Sequence, residues 1–480
     1  EALASGHEQR VLHAAGKGYP DLVRLRAGEP EDAPDAIVYP GSHEQLRALL
    51  ELCARRSVAV VPFGGGTSVV GGVAPLRGEH GAVIALDMAR MDALLALDRE
   101  SRTVRVQAGM RAPALERRLG GEGLTLGHFP QSFEYVSLGG CAATRSAGQA
   151  SSGYGAIAKM VLGLRLAAPA GDIAPATLPA SAAGPDLRQL LVGSEGTLGV
   201  ISELSLRVRA APSERIYEGL FFENLHAGAE ALCALAQEHV LPDVARLSDE
   251  AETRMSLALA GREGLKARLG GAYLRARGVE DGCLAIFGFE GSEQDVAARR
   301  SRALELARGC GAVRVGRSPG KAWLKGRFAA PYLRDELLTQ GVMVETLETA
   351  AQWSQLLAVH AQVGAAIAAA LQACGTPGMV MCHISHVYET GASLYFTFIA
   401  RQQEEDPLGQ WAQVKQAASA AILASGATIT HHHAVGRDHL PWLEQEIGAQ
   451  GLQALRAVKA ELDPTGIMNP GKLLALSARR

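Results

Sequence analysis

Three consecutive histidines, His431, His432 and His433 in the run THHHAVGRDH, are the densest set of proton-moving groups in the chain. Imidazole titrates near neutrality, which suits acid–base work or the orientation of a substrate. It also binds metals. The preceding ATIT reads as a strand, and neighbours on a strand point to opposite faces. Only His431 and His433 would then share a face, and two imidazoles are too few for a zinc site. No metal is expected. A different chemistry is suggested by VVPFGGGTSVVGG, from Val60 to Gly72. Glycines carry no Cβ, so backbone N–H groups can close around a phosphate. A Walker loop fails here because Gly66 is followed by Thr67 and Ser68, with no Lys before Arg77. A dinucleotide fingerprint fails because Val69 stands where its last glycine belongs. A tight turn between strands stays open as the alternative.

The elements that must position these residues fall into two regions. The chain has 480 residues and a net charge of −3, which suggests two or three domains. That charge and a 5% aromatic content give no reason to expect nucleic acid. Seven dispersed cysteines contain no CxxC pair, fitting core thiols in a reducing compartment. No stretch of ~20 uncharged apolar residues is read, so no membrane span is expected. The Ala-rich run Val363–Ala373 is too short. EALASGHEQR is not a secretory signal and the final ARR is not a peroxisomal tag, so a cytoplasmic location is expected.

Within the first region, AIVYP, HEQLRALLELCARR and SVAVVP read as strand, helix and strand. VIALDM and TVRVQAG read as a strand pair, followed by a short helix in RAPALERRLG. Two more small-residue loops follow, SLGGCAATRSAGQASSGYG and VGSEGTLGVI. After residue 211 a strand–helix order recurs in FFENLHAGAEALCALAQ and CLAIFGFEGSEQDVAARRSRALELARG, which suggests a mostly antiparallel sheet covered by helices. The expected fold class is α+β. The expected domains are an N-terminal segment (1–33), a domain with the three glycine-rich loops (34–210), a cap or substrate domain (211–425) and a C-terminal segment (426–480) that returns to the first site.

Three glycine-rich loops in order, with the ending DPTGIMNPGKLL, resemble the flavoprotein superfamily of vanillyl-alcohol oxidase and p-cresol methylhydroxylase. The resemblance implies a two-subdomain FAD-binding domain plus a cap domain. It implies that Pro62, Phe63, Gly64, Gly65, Gly66, Thr67 and Ser68 hold the pyrophosphate of FAD. It adds Gln131, Ser132, Gly139, Gly140, Thr144, Arg145 and Ser146 from the second loop. From the third it adds Glu195, Gly196, Thr197, Gly199, Val200 and Ile201. Many relatives link the flavin covalently to a histidine in the first loop. Here no histidine lies between Glu51 and Glu79, so noncovalent FAD is expected.

Within that superfamily, THHHAVGRDH, ETGASLYFTF, ARLSDE, APYLRDE and ETLETAAQW look like the alkyldihydroxyacetonephosphate synthases, from about Asp21 onward. The resemblance implies Tyr395 as proton donor and acceptor and His431, His432 and His433 as the active-site triplet. It implies Arg246 and Arg334 in activity and substrate binding, with Thr346 where the family has a serine. An arginine fork matches phosphate oxygens. A core tyrosine and surface ion pairs are the plain alternatives for these residues. Two departures stand out. Ala434 replaces a glycine after the triplet, and Arg437 begins a stretch that replaces a basic run. Cys382, His383 and His386 in CHISHVYE could ligate a metal, but they lack the GDGN core of flavin D-2-hydroxyacid dehydrogenases.

The reaction implied by the resemblance exchanges the acyl group of an acyl-dihydroxyacetone phosphate for a fatty alcohol, through an adduct at flavin N5 and without net redox. The alternative is an FAD-dependent oxidase or dehydrogenase acting on a CH–OH group of a hydroxy acid or alcohol. A flavin-binding protein without turnover is a third reading. The expected partners are a small or lipid-like substrate that can carry phosphate and a second copy of the chain. Peripheral membrane contact is compatible with such a substrate.

Overall fold

A computed structural model describes residues 2–29, 32–259 and 265–476. The terminal Ala478–Arg480, read above for a targeting tag, lie outside the described residues. The chain forms two compact units. The first contains residues 1–148, 155–209 and 432–480, and the second contains 149–154 and 210–431. The division falls inside the histidine triplet, between His431 and His432.

Among the described residues, the first unit holds two larger sheets. In one, Val58–Phe63 and Ala36–Val38 flank Ala82–Asp87, both parallel to it. Leu3–Ala4 adds an antiparallel edge. Parallel pairing needs a crossover, and the helix His43–Arg56 supplies it. That helix starts on Ser42, whose hydroxyl accepts the N–H of Gln45, and buries Leu46, Leu50 and Cys53. The other sheet is antiparallel, with Thr103–Gln107 and Val161–Ala168 on either side of Val200–Arg207. VIALDM and TVRVQAG are therefore strands but not partners. Val83 and Ala85 pair with Ala59 and Val61, whereas Val104 and Val106 pair with Leu206 and Leu204.

The second unit is built on a seven-stranded sheet whose pairings are all antiparallel. Four of its strands carry residues read from the sequence as candidates for chemistry: Val244–Ser248, Met379–Tyr388, Gly391–Arg401 and, at the edge, Val342–Gln352. Alternation divides their side chains between two faces. One face is apolar, with Leu247, Cys382, Ile384, Leu394, Phe396, Phe398 and Leu347 buried. Full burial of such a side chain contributes about 1.5–3 kcal/mol. The other face carries Arg246, His383, Tyr395, Thr346 and Glu348, with Tyr395 directly between His383 and Glu348.

The helix Trp353–Ala373 packs on this sheet through Leu356, Val359, Val363, Ile367 and Leu371. It begins ten residues before the Ala-rich run read from the sequence. Its 21 residues are long and apolar enough to cross a membrane by length and composition alone. All seven cysteines are free; Cys53, Cys141, Cys283 and Cys382 are buried and the other three half-buried.

Candidate functional site

In the first unit, the Val58–Phe63 strand delivers the first glycine-rich loop. The strand is pinned from the side by the C-terminal motif. Val60 N–H donates to Ile467 O at 2.8 Å, and Asn469 N–H donates to Val60 O at 2.8 Å. The motif holds its own shape through Asp463, whose carboxylate accepts the N–H groups of Ile467 and Met468 at 3.1 and 2.7 Å. Its amide and lysine reach the other loops. Asn469 Nδ2 donates to Gly72 O at 3.2 Å and to Glu195 O at 2.7 Å, tying the first loop to the third. The fully buried Lys472 donates to the carbonyls of Ala74 and Pro470.

The glycines bring these loops together. A Cβ on Gly65 would strike the carbonyl of Tyr135, and one on Gly64 the hydroxyl of Ser137, both beside the second loop. A Cβ on Gly196 would lie 2.8 Å from the Pro62 ring. The glycines therefore serve close approach of loop to loop, as well as of backbone to ligand.

The donor set fits FAD. Among the described residues, no acceptor takes the N–H groups of Gly64, Gly65, Gly66 or Thr67, of which Gly66 is buried and the other three are half-buried. Unclaimed main-chain donors in a concave run suit a pyrophosphate. Among the described residues, Ser194 Oγ, His128 Nδ1 and Asn469 Oδ1 are buried without a hydrogen-bond partner, and such atoms require one. His128 lies just ahead of the second loop, with Nε2 3.2 Å from Ser146 Oγ. Burial, then the neighbouring His432, pushes its pKa down to about 4, so its ring is neutral.

Several residues expected to touch FAD also hold the scaffold together. Arg145 donates to the carbonyls of Gln189 and Val192 and braces the helix Leu187–Leu191. Val200 and Ile201 open a strand, paired with Ala167 and Leu166. Ser132 O closes a turn by accepting the N–H groups of Tyr135 and Val136, a turn that also follows Gln131. Thr144 Oγ1 caps Gly140 O at 2.9 Å, and Gly139 N–H donates to Ala108 O at 2.7 Å. Thr197 Oγ1 donates to Ser194 O at 2.7 Å. Glu195 is buried and accepts the N–H groups of Val435 and Gly436 at 2.8 and 2.7 Å, which anchors the chain after the triplet. Burial raises its pKa to about 7 against those two hydrogen bonds and Lys472.

In the second unit, the polar face of the sheet gathers the remaining residues. Arg246 pairs with Glu252 and reaches His383 Nδ1 at 3.0 Å. Glu252 also meets His383 Nδ1 at 2.9 Å. Burial would raise the Glu252 pKa, but His383 and Arg246 hold it down to about 2. Burial, then Arg246, lowers that of His383. The imidazole is therefore neutral near pH 7, and Arg246 is the counter-ion of Glu252. The ring of His383 stacks on Tyr395, centroids 4.9 Å apart. Burial pushes the Tyr395 phenol up to about 12, with a hydrogen bond from Thr346 opposing, Glu348 and Glu345 adding and Arg334 opposing. Tyr395 is thus an acid at neutral pH, held beside Thr346 and Arg334.

THHH is not a strand. Thr428 N–H donates to Ala350 O on the edge strand and Thr349 Oγ1 donates to Thr428 O at 2.5 Å. Buried Glu348 then takes over. It accepts the Thr430 hydroxyl at 2.6 Å and the His431 N–H at 2.7 Å. Side chains replace a β ladder, so the three histidines need not alternate. His431 stacks on His386, centroids 4.9 Å apart, and its Nε2 lies 2.5 Å from the Tyr388 hydroxyl. In the first unit, His432 and His433 meet edge to face at 4.7 Å.

Sequence reasoning missed Tyr388 and Glu348. A β-bulge hides Tyr388. Ile384 pairs with Leu394 but Val387 pairs with Ala392, so one extra residue lies between them. The bulge shifts the alternation and turns Tyr388 to the face that carries Tyr395. The segment ETLETAAQW contains Glu348, yet only the paired strands show that it lies opposite Tyr395.

Comparison with known proteins adds the following. The family described as "FAD binding domain" matches residues 34–176, and "FAD linked oxidases, C-terminal domain" matches 211–473. The chain is 34% identical to alkyldihydroxyacetonephosphate synthase of Dictyostelium discoideum, over 97% of this chain and 77% of that protein. A solved alkyldihydroxyacetonephosphate synthase superposes with a TM-score of 0.85 at 31% identity, covering 98% of this chain and 83% of that one. Substrate-bound p-cresol methylhydroxylase superposes with a TM-score of 0.72 at 15% identity, over 100% of this chain and 95% of that one, a likeness of fold.

Proposed function

The chain belongs to the alkyldihydroxyacetonephosphate synthase family of FAD-linked proteins, and from that premise we propose that it exchanges the acyl group of an acyl-dihydroxyacetone phosphate for the alkyl group of a fatty alcohol. The observation that carries this reading is identity of 34% over nearly the whole chain, spanning the Tyr395, histidine and arginine segments together. FAD is the cofactor, held noncovalently by the main-chain donors of Gly64–Thr67. When bound, it supplies an electron sink for the substrate carbon.

The protein's own groups divide the remaining work. Arg334 offers a guanidinium to an anionic substrate group, because it lies near enough to Tyr395 to oppose the rise in its pKa. Tyr395, protonated at neutral pH, donates to an oxygen that gains negative charge. The neutral His383 ring holds the phenol in place by stacking. The cluster of His386 and His431 supplies proton acceptors.

Anaerobic incubation with acyl-dihydroxyacetone phosphate and a fatty alcohol tests the reading. The expected result is an ether product, free fatty acid and a flavin spectrum that is oxidised when turnover ends. Lasting bleaching with an oxidised product would make the protein a dehydrogenase or oxidase. Yellow colour that stays with acid-precipitated protein would overturn noncovalent binding.

A further inference from the structure

Just after the triplet, within the first unit, the chain bends sharply, and the bend is shaped from outside. Ala434 has a φ of 75° and Gly436 one of 53°. Between them two successive N–H groups turn to one carboxylate. Val435 N–H donates to Glu195 Oε1 at 2.8 Å, and Gly436 N–H donates to Oε2 at 2.7 Å. Successive N–H groups around a left-handed residue make an anion nest, and here the anion is the protein's own. The backbone of Glu195 is fixed on two sides. Its N–H donates to Ala143 O at 2.9 Å, and Asn469 Nδ2 donates to its carbonyl. Beyond the bend, Arg437 N–H donates to Val70 O at 2.8 Å, and a Cβ on Gly436 would lie 2.1 Å from that same oxygen. The bend therefore sits on the first and third glycine-rich loops and, through Glu195, on the second.

We propose that Glu195 is a positioning residue for His432 and His433, its ionised carboxylate clamping the bend behind them so that protonation of that carboxylate releases both imidazoles. The role of the histidines in turnover rests on the synthase reading above; the clamp itself does not. An ionised carboxylate offers one oxygen to each N–H. A solvent proton added to either oxygen makes it an O–H, whose hydrogen opposes the N–H it faced. One clamp bond is then lost. Ala434 is no longer held in the left-handed region that a residue with a Cβ resists. As it relaxes, the backbone ahead of it turns and carries His433 and His432 along. Burial brings this protonation into the neutral range, pushing Glu195 up to about 7 against its two N–H donors and Lys472. The other charged groups packed around it are engaged elsewhere. Lys459 holds Asp463 and Thr197 O, and Arg145 holds Val192 O. On the bend itself, Arg437 packs against Gly71, Asp438 N–H turns to Val70 O, and His439 Nδ1 lies 2.8 Å from Ala434 O.

The test uses the FAD-loaded full chain, labelled with ¹⁵N in valine and glycine and ¹³C in histidine, from about pH 5.5 to 8.5. In the wild type the Val435 and Gly436 amides should titrate together with a midpoint of about 7. Glu195→Gln, which keeps the shape but cannot ionise, should abolish that titration. Its His432 and His433 ring resonances should be displaced from the wild-type positions at about pH 8.5, where an ordinary imidazole no longer titrates. Ether formation by the variant should show kcat lowered ~10–100-fold, the effect of misplaced groups, with KM and FAD absorbance unchanged. Flat Val435 and Gly436 amides in the wild type overturn the clamp, and this measurement needs no variant. Unmoved histidine rings in Glu195→Gln, or a loss of FAD that accounts for all the lost kcat, overturn the positioning role. If the wild type forms no ether, the synthase reading has failed. The amide and ring resonances require no substrate, so they still decide the clamp.

Discussion

Ala434 has a φ of 75°, in the region that favours glycine, which is the residue the resemblance implies there. The left-handed region costs a residue with a Cβ about 1–2 kcal/mol. Glycine would remove that strain but add about 0.5–1 kcal/mol of unfolded-state entropy. Ala434→Gly should therefore raise stability by about 0.5–1 kcal/mol, read as an increased midpoint in urea with unchanged slope. An unchanged or lower midpoint would show that the backbone has relaxed around alanine. Tyr395 makes a second residue-scale prediction. Tyr395→Phe should lower kcat at least ~100-fold with a normal flavin spectrum, because a phenol at about 12 is placed to donate. Should kcat hold, Tyr395 is a packing residue under His383, the plain alternative for a tyrosine in an alternating strand.

At the scale of elements, the three glycine-rich loops behave as one object. Gly65 abuts the Tyr135 carbonyl, Gly196 abuts Pro62, and Asn469 bonds both the first loop and the third. A single methyl at Gly65 meets backbone, which cannot rotate away. Gly65→Ala should therefore lower FAD retention on gel filtration and also lower the melting temperature of the apoprotein. A loss of FAD with an unchanged apoprotein melt would mean that the methyl obstructs only the ligand. The helix Trp353–Ala373 shows the complementary case: its apolar length resembles a membrane span, but a stripe of it is buried on the sheet.

For the whole molecule, the chain contributes residues 149–154 and then 210–431 to the second unit before it returns at 432, and each unit contains ion pairs of its own. Glu252 is the clearest in the second unit. Its pKa falls from 4.5 to about 2 on folding, so its stabilising effect is fully present above 4.5. That effect is lost as pH falls from about 4.5 toward 2. Calorimetry at stepped pH should show the wild type losing stability through that window, and Glu252→Gln, already weakened at pH 7, should show a flatter decline. Equal slopes would mean that other carboxylates govern acid unfolding.

The sequence by itself determined the local elements, because their signals are local. Leucine spacing in HEQLRALLELCARR, the Ser42 cap and the run SVAVVP each specify one element without help from distant residues. The three loops and DPTGIMNPGKLL identified the cofactor by resemblance, and the family match to residues 34–176 agrees. Only the tertiary structure decided what those pieces touch. VIALDM and TVRVQAG joined different sheets because strand pairing is set by partners far along the chain. ATIT has the composition of a strand, yet the Thr349 hydroxyl donates to Thr428 O and the Glu348 carboxylate accepts the Thr430 hydroxyl and the His431 N–H, which leaves it outside the ladder. Tyr388 reached His431 because a one-residue bulge reversed the alternation after Ile384. Composition encodes which face a residue prefers, but register, bulges and side-chain acceptors fix which residues meet, and these depend on the folded chain.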